Sequence, residues 1–301
     1  MKRATTFWKL RTHTLELGRR TLVMGVVNIT PDSFSDGGTF LSPEQAVGHA
    51  LRLLEEGADV IDLGAESTRP GSNLGGGGPV VSAEEEQKRL LPVVEGVLHA
   101  RPDAVLSVDT YKSETALAAG AQIINDVSGF MWDPAIAKVC AEFHAGAVLS
   151  HTRGKPSEWR TQALLEADQL LKLVRGGLAA SLEAAKAAGV ARESVVLDPG
   201  YGFGKRFGEN YALLARQNDL LELRRPLLAG LSRKSFLGHT LAPLFGGKDA
   251  PVDARASASL AVMTAAILNG ASIVRVHEVR PAVEAARIAD AILAAGGVHS
   301  S

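Results

Sequence analysis

The sequence predicts a single (β/α)₈ barrel formed by residues 1–301, on three observations. Short β-branched segments alternate with helical segments eight times along the chain. Most of the β-branched segments lack apolar–polar alternation, as expected for parallel strands that are buried on both faces. No linker or shift in composition divides the chain into two domains. An open doubly wound sheet is the alternative fold.

The strands and helices follow from local composition and from start signals. The predicted strands are Leu22–Val27, Asp59–Leu63, Val105–Val108, Ile123–Ile124, Ala147–Leu149, Val195–Leu197, Leu227–Ala229 and Ser272–Val276. The predicted helices are Pro43–Glu56, Ala83–Leu98, Lys112–Ala119, Pro134–Phe143, Ala163–Ala188, Asn210–Gln217, Ala254–Asn269 and Val279–Ala295. Ser42 before Pro43 is a typical helix start, and Ser82 with Glu85 has capping-box spacing. The segment Phe7–Leu17 precedes the first strand and is predicted to cap the barrel floor.

The composition argues against several classes of function. The chain has 32 Lys and Arg against 33 Asp and Glu, and its formal charge is −1. This balance argues against nucleic-acid binding and against attachment to an anionic membrane surface. The single cysteine, Cys140, excludes an intrachain disulfide and a multi-cysteine metal site. Met1–Leu10 lacks a secretory apolar core, and polar residues interrupt Ala256–Val274, so we expect a cytoplasmic protein without a membrane span.

Polar residues follow nearly every predicted strand. In a (β/α)₈ barrel the catalytic side chains lie at the carboxyl ends of the strands. The predicted ring at this mouth comprises Asn28, Asp62, Glu66–Arg69, Asp109, Asn125, Asp126, His151, Asp198, Ser232–Lys234, Arg275 and His277. Each residue alone could be a cap or a turn residue, but their repetition at one end of the barrel predicts a polar site.

Three members of this ring indicate a flat heterocyclic ligand. Asp109, Asn125 and Asp198 follow the third, fourth and sixth predicted strands. A carboxylate accepts two parallel hydrogen bonds from neighbouring N–H groups, and an amide both donates and accepts. This set suits an amidine-like ring edge better than a sugar or an alkyl chain. The alternative is that the two aspartates only cap or turn the chain.

The cationic members of the ring indicate an anion. Arg275 and His277 alternate on the last strand and therefore share one face. Arg233 and Lys234 follow the seventh strand, and loops after strands seven and eight often bind phosphate in this fold. A salt bridge at the barrel rim is the alternative for Arg275 alone. Asn28 could supply an oxygen to Mg²⁺ accompanying a phosphorylated substrate.

No specific ligand is assigned to the glycine-rich segment or to two of the tryptophans. Gly200–Lys205 is glycine-rich, but its spacing matches neither the dinucleotide fingerprint nor the Gly-x₄-Gly-Lys-Ser/Thr motif. We predict a loop that lets the backbone approach a planar ligand. Trp132 and Trp159 are assigned to the core or to an interface.

Seven motifs occur in a characteristic order across nearly the whole chain. They are Met24–Gly38 (MGVVNITPDSFSDGG), Asp62–Gly71 (DLGAESTRPG), Ser107–Thr110 (SVDT), Ile124–Asp126 (IND), Leu197–Lys205 (LDPGYGFGK), Gly230–Gly238 (GLSRKSFLG) and Arg275–His277 (RVH). Together they resemble the dihydropteroate synthase family, and a match of seven ordered motifs is highly specific.

The resemblance implies a homodimeric (β/α)₈ barrel enzyme of folate biosynthesis and a target of sulfonamides. Its implied reaction condenses 7,8-dihydropterin-6-ylmethyl diphosphate with 4-aminobenzoate to give 7,8-dihydropteroate and diphosphate. The implied mechanism is a dissociative substitution in which loss of the C–O bond runs ahead of amine attack.

The resemblance also assigns the site residues. The implied pterin-binding residues are Asp109, Asn125, Ser150, Asp198 and Lys234. Asn28, Arg275 and His277 are implied to bind diphosphate, with Asn28 also binding Mg²⁺. The implied aminobenzoate subsite comprises Phe34, Thr68, Arg69, Pro70, Phe203 and Ser235. Asp109, Lys234 and Asn28 are the implied catalytic residues.

Two departures from the family pattern leave alternatives open. Ser150 stands where the family commonly has Met, and the loop from Gly71 to Gly78 is longer and richer in glycine. One alternative is a catalytically silent paralogue that binds pterin. The other is a pterin-dependent methyltransferase, which should lack the Ser-Arg-Lys-Ser loop and the Arg-x-His pair that this chain carries.

Overall fold

Eight parallel strands close into a barrel in the computed structural model, which describes residues 3–29, 42–66 and 81–296. The strands are β1 (Thr6–Lys9), β2 (Thr14–Leu17), β3 (Leu22–Asn28), β4 (Val60–Gly64), β5 (Leu106–Asp109), β6 (Ile123–Asp126), β7 (Gly146–Ser150), β8 (Val195–Asp198), β9 (Leu227–Ala229) and β10 (Ala271–Val276). Strands β3 to β10 pair in chain order, and β10 returns to pair with β3. This closed order confirms the predicted (β/α)₈ barrel and excludes the open sheet.

The helices surround the barrel strands. They are α1 (Pro43–Glu55), α2 (Ala83–Ala100), α3 (Ser113–Ala119), α4 (Ala135–Glu142), α5 (Ala167–Ala187), α6 (Phe207–Ala215), α7 (Ser235–Leu241), α8 (Ala256–Leu268) and α9 (Val279–Ala295). Every predicted helix within the described residues is present. None of these helices is both long and apolar enough to span a membrane.

Two helical predictions differ from the structure. Helix α7 was not predicted; its seven residues include Gly238, and glycine disfavours a helix interior. Helix α5 begins four residues later than predicted, at Ala167 rather than Ala163. The backbone N–H of Glu166 donates to the side chain of Gln169 and caps the helix there, after a 3₁₀ turn at Pro156–Thr161.

Inward-facing side chains divide the barrel into an apolar floor and a polar mouth. The buried floor cluster contributed by the barrel strands and their flanks comprises Leu22, Met24, Val60, Val105, Ile123, Val148, Val196, Leu228 and Ile273. Successive side chains of a strand alternate between its two faces. The inward positions nearer the carboxyl ends are therefore Asn28, Asp62, Asp109, Asn125, Ser150, Asp198, Gly230, Arg275 and His277. The same alternation thus builds both the floor and the site.

The N-terminal hairpin of β1 and β2 caps the floor, as predicted. Trp8, Leu10 and Leu17 belong to the buried floor cluster. The indole Nε1 of Trp8 donates to the carbonyl oxygen of Ser194 at 2.8 Å. Gly146 begins β7 under this hairpin, where a Cβ atom would lie 2.4 Å from Leu10 Cδ2. The close approach explains the glycine.

Trp8→Ala should lower the free energy of unfolding by about 3–5 kcal/mol, because it empties a fully buried site between the hairpin and the barrel. Urea denaturation measures the change. Phe7→Ala is the matched control on the same strand, since Phe7 is 56% exposed. Equal losses for the two variants would contradict the assigned role of the hairpin.

Candidate active site

A cavity of about 350 Å³ opens at the carboxyl ends of the barrel strands. Its lining comprises Asn28, Glu66, Asp109, Asn125, Val127, Ser150, Trp159, Asp198, Gly202, Phe203, Gly230, Ser232, Arg233, Lys234, Ser235, Val252, Arg255, Arg275 and His277. All site residues that the family resemblance assigns within the described part of the chain line this cavity. Phe34, Thr68, Arg69 and Pro70 lie outside the described residues, and their placement stays a prediction.

Arg275 joins three strands across the wall of the cavity. Its Nε donates to Asp62 Oδ2 at 2.6 Å, and its Nη2 donates to Asp109 Oδ2 at 2.7 Å. Asn125 Nδ2 donates to the same oxygen of Asp62 at 3.1 Å. Because Asp62 is fully buried, these bonds fix one guanidinium, two carboxylates and an amide before any ligand arrives.

Asp109 and Asp198 carry raised pKa values. Burial raises the pKa of Asp109 to about 7; the cation of Arg275 opposes this effect, and the charge of Asp62 adds to it. Burial also raises the pKa of Asp198, although the backbone N–H of Gly200 donates to it at 2.7 Å. Burial lowers the pKa of Arg275, but Asp62 and Asp109 outweigh it and raise the value overall. The Arg275 guanidinium therefore stays charged, while Asp109 titrates near neutral pH.

The glycine-rich segment after β8 forms a tight loop around the ammonium group of Lys205. Lys205 is buried, and its Nζ donates to the carbonyl oxygens of His151 at 3.0 Å, Gly200 at 2.7 Å and Phe203 at 3.3 Å. Lys205, which resembles the lysine of a nucleotide-binding motif, therefore holds the loop together. Gly202 has a φ of 81° and lines the cavity, so the backbone does approach the space available to a ligand.

The side chain of Lys234 contacts this loop. Its Nζ lies 4.0 Å from the centroid of the Phe203 ring, a cation–π geometry. A Cβ atom at Gly202 would lie 3.3 Å from Lys234 Cδ. The β8 loop therefore sets where the ammonium group of Lys234 can lie.

Besides Asp62, which is fully buried and accepts hydrogen bonds from Arg275 and Asn125, two residues predicted in the polar ring do not line the cavity. Asp126 accepts hydrogen bonds from the backbone N–H groups of Ser128 and Phe130, both at 2.7 Å, and forms a turn. The ring of His151 lies against Gly177 of α5. Both predictions are wrong because each residue follows an inward-facing neighbour on its strand, and alternation turns it away.

Besides Val127, which directly follows β6, three cavity residues were missed by the sequence analysis. Trp159 was assigned to the core or an interface, and Val252 and Arg255 were not considered. Arg255 donates to the carbonyl oxygens of Ala250 and Arg233 at 2.9 and 3.1 Å. All three residues reach the cavity from irregular segments or 3₁₀ turns, where no period marks the inward side. Only their positions in loops after β7 and β9 could have indicated them.

A buried ion-pair cluster holds the edge of the cavity at Glu66. Its Oε2 lies 2.5 Å from Lys112 Nζ, which also contacts Glu86 Oε2 at 3.2 Å. Its Oε1 accepts the backbone N–H of Val81 at 3.0 Å. The chain on either side of residues 67–80 is thereby joined at the cavity rim.

Similarity to known proteins identifies the family. Residues 24–277 match the family model described as "Pterin binding enzyme". This chain belongs to that family. It is 38% identical over 288 residues to the dihydropteroate synthase of Bacillus subtilis, covering 95% of this chain and 93% of that protein. It is 42% identical to the mitochondrial folate synthesis bifunctional protein of Pisum sativum, of whose length it spans 55%.

Comparison with solved structures supports the same family assignment. The dihydropteroate synthase of Xanthomonas albilineans, solved in complex with 7,8-dihydropteroate, superposes with a TM-score of 0.77 at 37% identity. The match covers 95% of this chain and 99% of that one. The chain is therefore a transferase of the dihydropteroate synthase type, with a role in folate biosynthesis.

Lys205→Met should destabilise the folded state by about 3 kcal/mol, because three carbonyl oxygens lose hydrogen bonds to a charged group. Chemical denaturation of the two proteins measures the difference. Lys248→Met, at an exposed lysine, is the control and should change stability little. A Lys205 variant as stable as the control would show that the ammonium group does not hold the loop.

Proposed function

We propose that the cavity condenses 7,8-dihydropterin-6-ylmethyl diphosphate with 4-aminobenzoate, giving 7,8-dihydropteroate and diphosphate. One observation supports this most: acceptors suited to a pterin edge and cations suited to a diphosphate line the same 350 Å³ cavity. The complex of the X. albilineans relative with 7,8-dihydropteroate supports the identity of the product.

The pterin is proposed to bind at the inner end of the cavity. Asp109, Asn125 and Asp198 project from β5, β6 and β8 and offer two carboxylates and an amide to the N–H groups of the ring edge. Lys234 supplies a donor for ring acceptors. Ser150 is buried and lines the same end, and its small side chain leaves more room than a methionine would.

The diphosphate is proposed to bind beside Asn28, Arg275 and His277. Arg275 is already oriented by Asp62 and Asp109, so it need not be ordered when the anion arrives. Nδ1 of His277 lies 3.1 Å from Ser232 Oγ. The guanidinium of Arg275, with the polar side chains of Asn28 and His277 beside it, can stabilise the negative charge that grows on the leaving diphosphate.

The donor set suits Mg²⁺ brought with the substrate. Among the described residues, no group of three or more His, Cys, Asp or Glu could hold a metal. Mg²⁺ commonly binds substrate phosphates together with only one or two protein oxygens, and Asn28 would supply such an oxygen here. When bound, the ion would act as a Lewis acid on the leaving diphosphate.

The residues favour a substitution in which the C–O bond breaks ahead of amine attack. The pterin delocalises the positive charge that develops on its methylene carbon, and the carboxylates of Asp109 and Asp198 lie at the proposed ring edge. Diphosphate takes the electron pair of the C–O bond, after which the amine of 4-aminobenzoate forms the C–N bond and loses a proton. This substitution needs no covalent nucleophile on the protein. Fixed charges on both sides of the C–O bond stabilise the charges that separate as the bond breaks.

The aminobenzoate is proposed to bind at the outer end of the cavity. Phe203 and Ser235 line it there, and Phe34, Thr68, Arg69 and Pro70 would complete the subsite. We also propose that the protein is cytoplasmic, forms a homodimer and binds sulfonamides. The exposed side chains of Phe207 and Leu244 favour the dimer, because an interface between two copies could bury them.

Purified protein should release diphosphate from the dihydropterin diphosphate only when Mg²⁺ and 4-aminobenzoate are present, and dihydropteroate should form in equal amount. Coupled diphosphate detection and chromatography measure both products. Pterin binding without either product would indicate a silent paralogue, and methyl transfer from a pterin donor would indicate the methyltransferase.

Lys234→Ala should lower kcat roughly 100-fold or more, because one preorganised cation of the cavity is lost. The fold should survive, since Lys234 lines the cavity rather than the core. Lys172→Ala, at an exposed position of α5, is the control. Wild-type turnover by the Lys234 variant would remove this residue from the site.

Pterin affinity should fall as the pH decreases through about 7. The raised pKa of Asp109 means that its carboxylate becomes protonated there and loses acceptor capacity towards the N–H edge. Calorimetric titration with a 7,8-dihydropterin from about pH 6 to about pH 8 tests this sign. Asp109→Asn should bind more weakly at the upper limit and flatten the profile. Affinity that rises towards low pH in the wild type would contradict the assignment.

A further inference from the structure

Trp159 lies in the 3₁₀ turn Pro156–Thr161 between β7 and α5, and its side chain forms part of the cavity wall. Trp159 is only 7% exposed. Its Nε1 donates to Thr152 Oγ1 at 3.1 Å and to the carbonyl oxygen of Gly154 at 3.2 Å. These two bonds orient the indole, so that its ring has one fixed direction relative to the loop.

The indole packs directly on the β8 loop. The rings of Trp159 and Phe203 have centroids 5.3 Å apart and are tilted by 33°. Gly204 follows with a φ of 72°, and a Cβ atom there would lie 3.0 Å from Trp159 Cδ1. Phe203 in turn contacts the ammonium group of Lys234. The order of contacts is therefore indole, phenyl ring and ammonium group, all along one wall of the cavity.

A separate buried ion pair ties the same two loops together. Arg153 Nη1 contacts Glu209 Oε1 at 3.1 Å, and its Nη2 donates to the carbonyl oxygen of Ala163 at 2.9 Å. Glu209 also accepts the backbone N–H groups of Leu165 and Arg206. Because this pair holds the loops without help from the indole, loss of Trp159 should change the wall while the loops stay attached.

We propose that Trp159 is a positioning residue for 4-aminobenzoate, acting by holding the ring of Phe203 in place against Lys234. The inference rests on the proposed function, which places Phe203 in the aminobenzoate subsite. Without the indole, Phe203 gains room to rotate away from the cavity, and the wall against which the aminobenzoate ring would pack is lost. The pterin-edge residues Asp109 and Asn125 are on β5 and β6 and have no bond to the indole.

Trp159→Ala should raise the KM for 4-aminobenzoate about 3- to 10-fold, the range expected for loss of one aromatic pair. The KM for the dihydropterin diphosphate should rise clearly less, because Asp109, Asn125 and Asp198 still hold the pterin edge when the contact of Phe203 with Lys234 is weakened. Trp159→Phe keeps an aromatic ring and should recover part of the loss. Trp132→Ala is the matched control, because Trp132 packs edge-on against Tyr111 and does not line the cavity.

A double-mutant cycle with Phe203→Ala tests whether Trp159 acts through that ring. If it does, Trp159→Ala should change the KM for 4-aminobenzoate less than about twofold when Phe203 is already absent. Equal effects in both backgrounds would overturn the proposal, as would a parallel rise in the KM of both substrates. Should Trp159→Ala fail to fold in thermal unfolding, Trp159→Leu retains apolar volume without a ring and replaces it in the cycle.

The two proposals fail in different ways. A wild-type protein that forms no dihydropteroate would defeat the proposed function. An active wild type whose KM for 4-aminobenzoate is unchanged by Trp159→Ala would defeat only the role of Trp159.

Discussion

The contact of Arg275 with Asp62 and Asp109 is the interaction on which the site depends. Burying carboxylates without a compensating charge costs several kcal/mol, and removing one partner of a buried pair typically leaves that cost unopposed. The guanidinium of Arg275 compensates two carboxylates, one of them fully buried, and links β4, β5 and β10 above the apolar floor. Asp109, which would receive a pterin, and Arg275, which would receive diphosphate, therefore belong to one network, which couples the two ends of the substrate site.

The barrel separates stability from chemistry along each strand. Residues near the amino ends form the apolar floor that Trp8 covers, and residues two or four positions later lie at the polar mouth. Because neither set contacts the other end, the mouth can be filled with polar groups at little cost to the core. The loops after β7 and β8 add the outer wall, and buried hydrogen bonds of Lys205 and Arg153 help to fix them.

The sequence predicts the strands and most of the described site because both follow from periodicity and motifs. Asp109 and Asn125 line one cavity, as the sequence predicted. The prediction for Asp126 was wrong, because the position of a strand end does not show which of two adjacent polar residues points inward. Trp159 was not predicted as a cavity residue for another reason. It reaches the cavity from a turn without periodicity, and only the folded structure shows that its indole contacts Phe203. Helix α7 was missed although α3, of equal length, was predicted; α7 carries Gly238 in its interior.

A crystal structure of the protein with a bound 7,8-dihydropterin tests the central claim most directly. The account predicts the ring inside the barrel mouth, with its N–H edge within hydrogen-bond distance of Asp109, Asn125 and Asp198, and with Arg275 still paired to Asp62. A pterin bound outside this cavity, or with its edge turned away from these three side chains, would contradict the account.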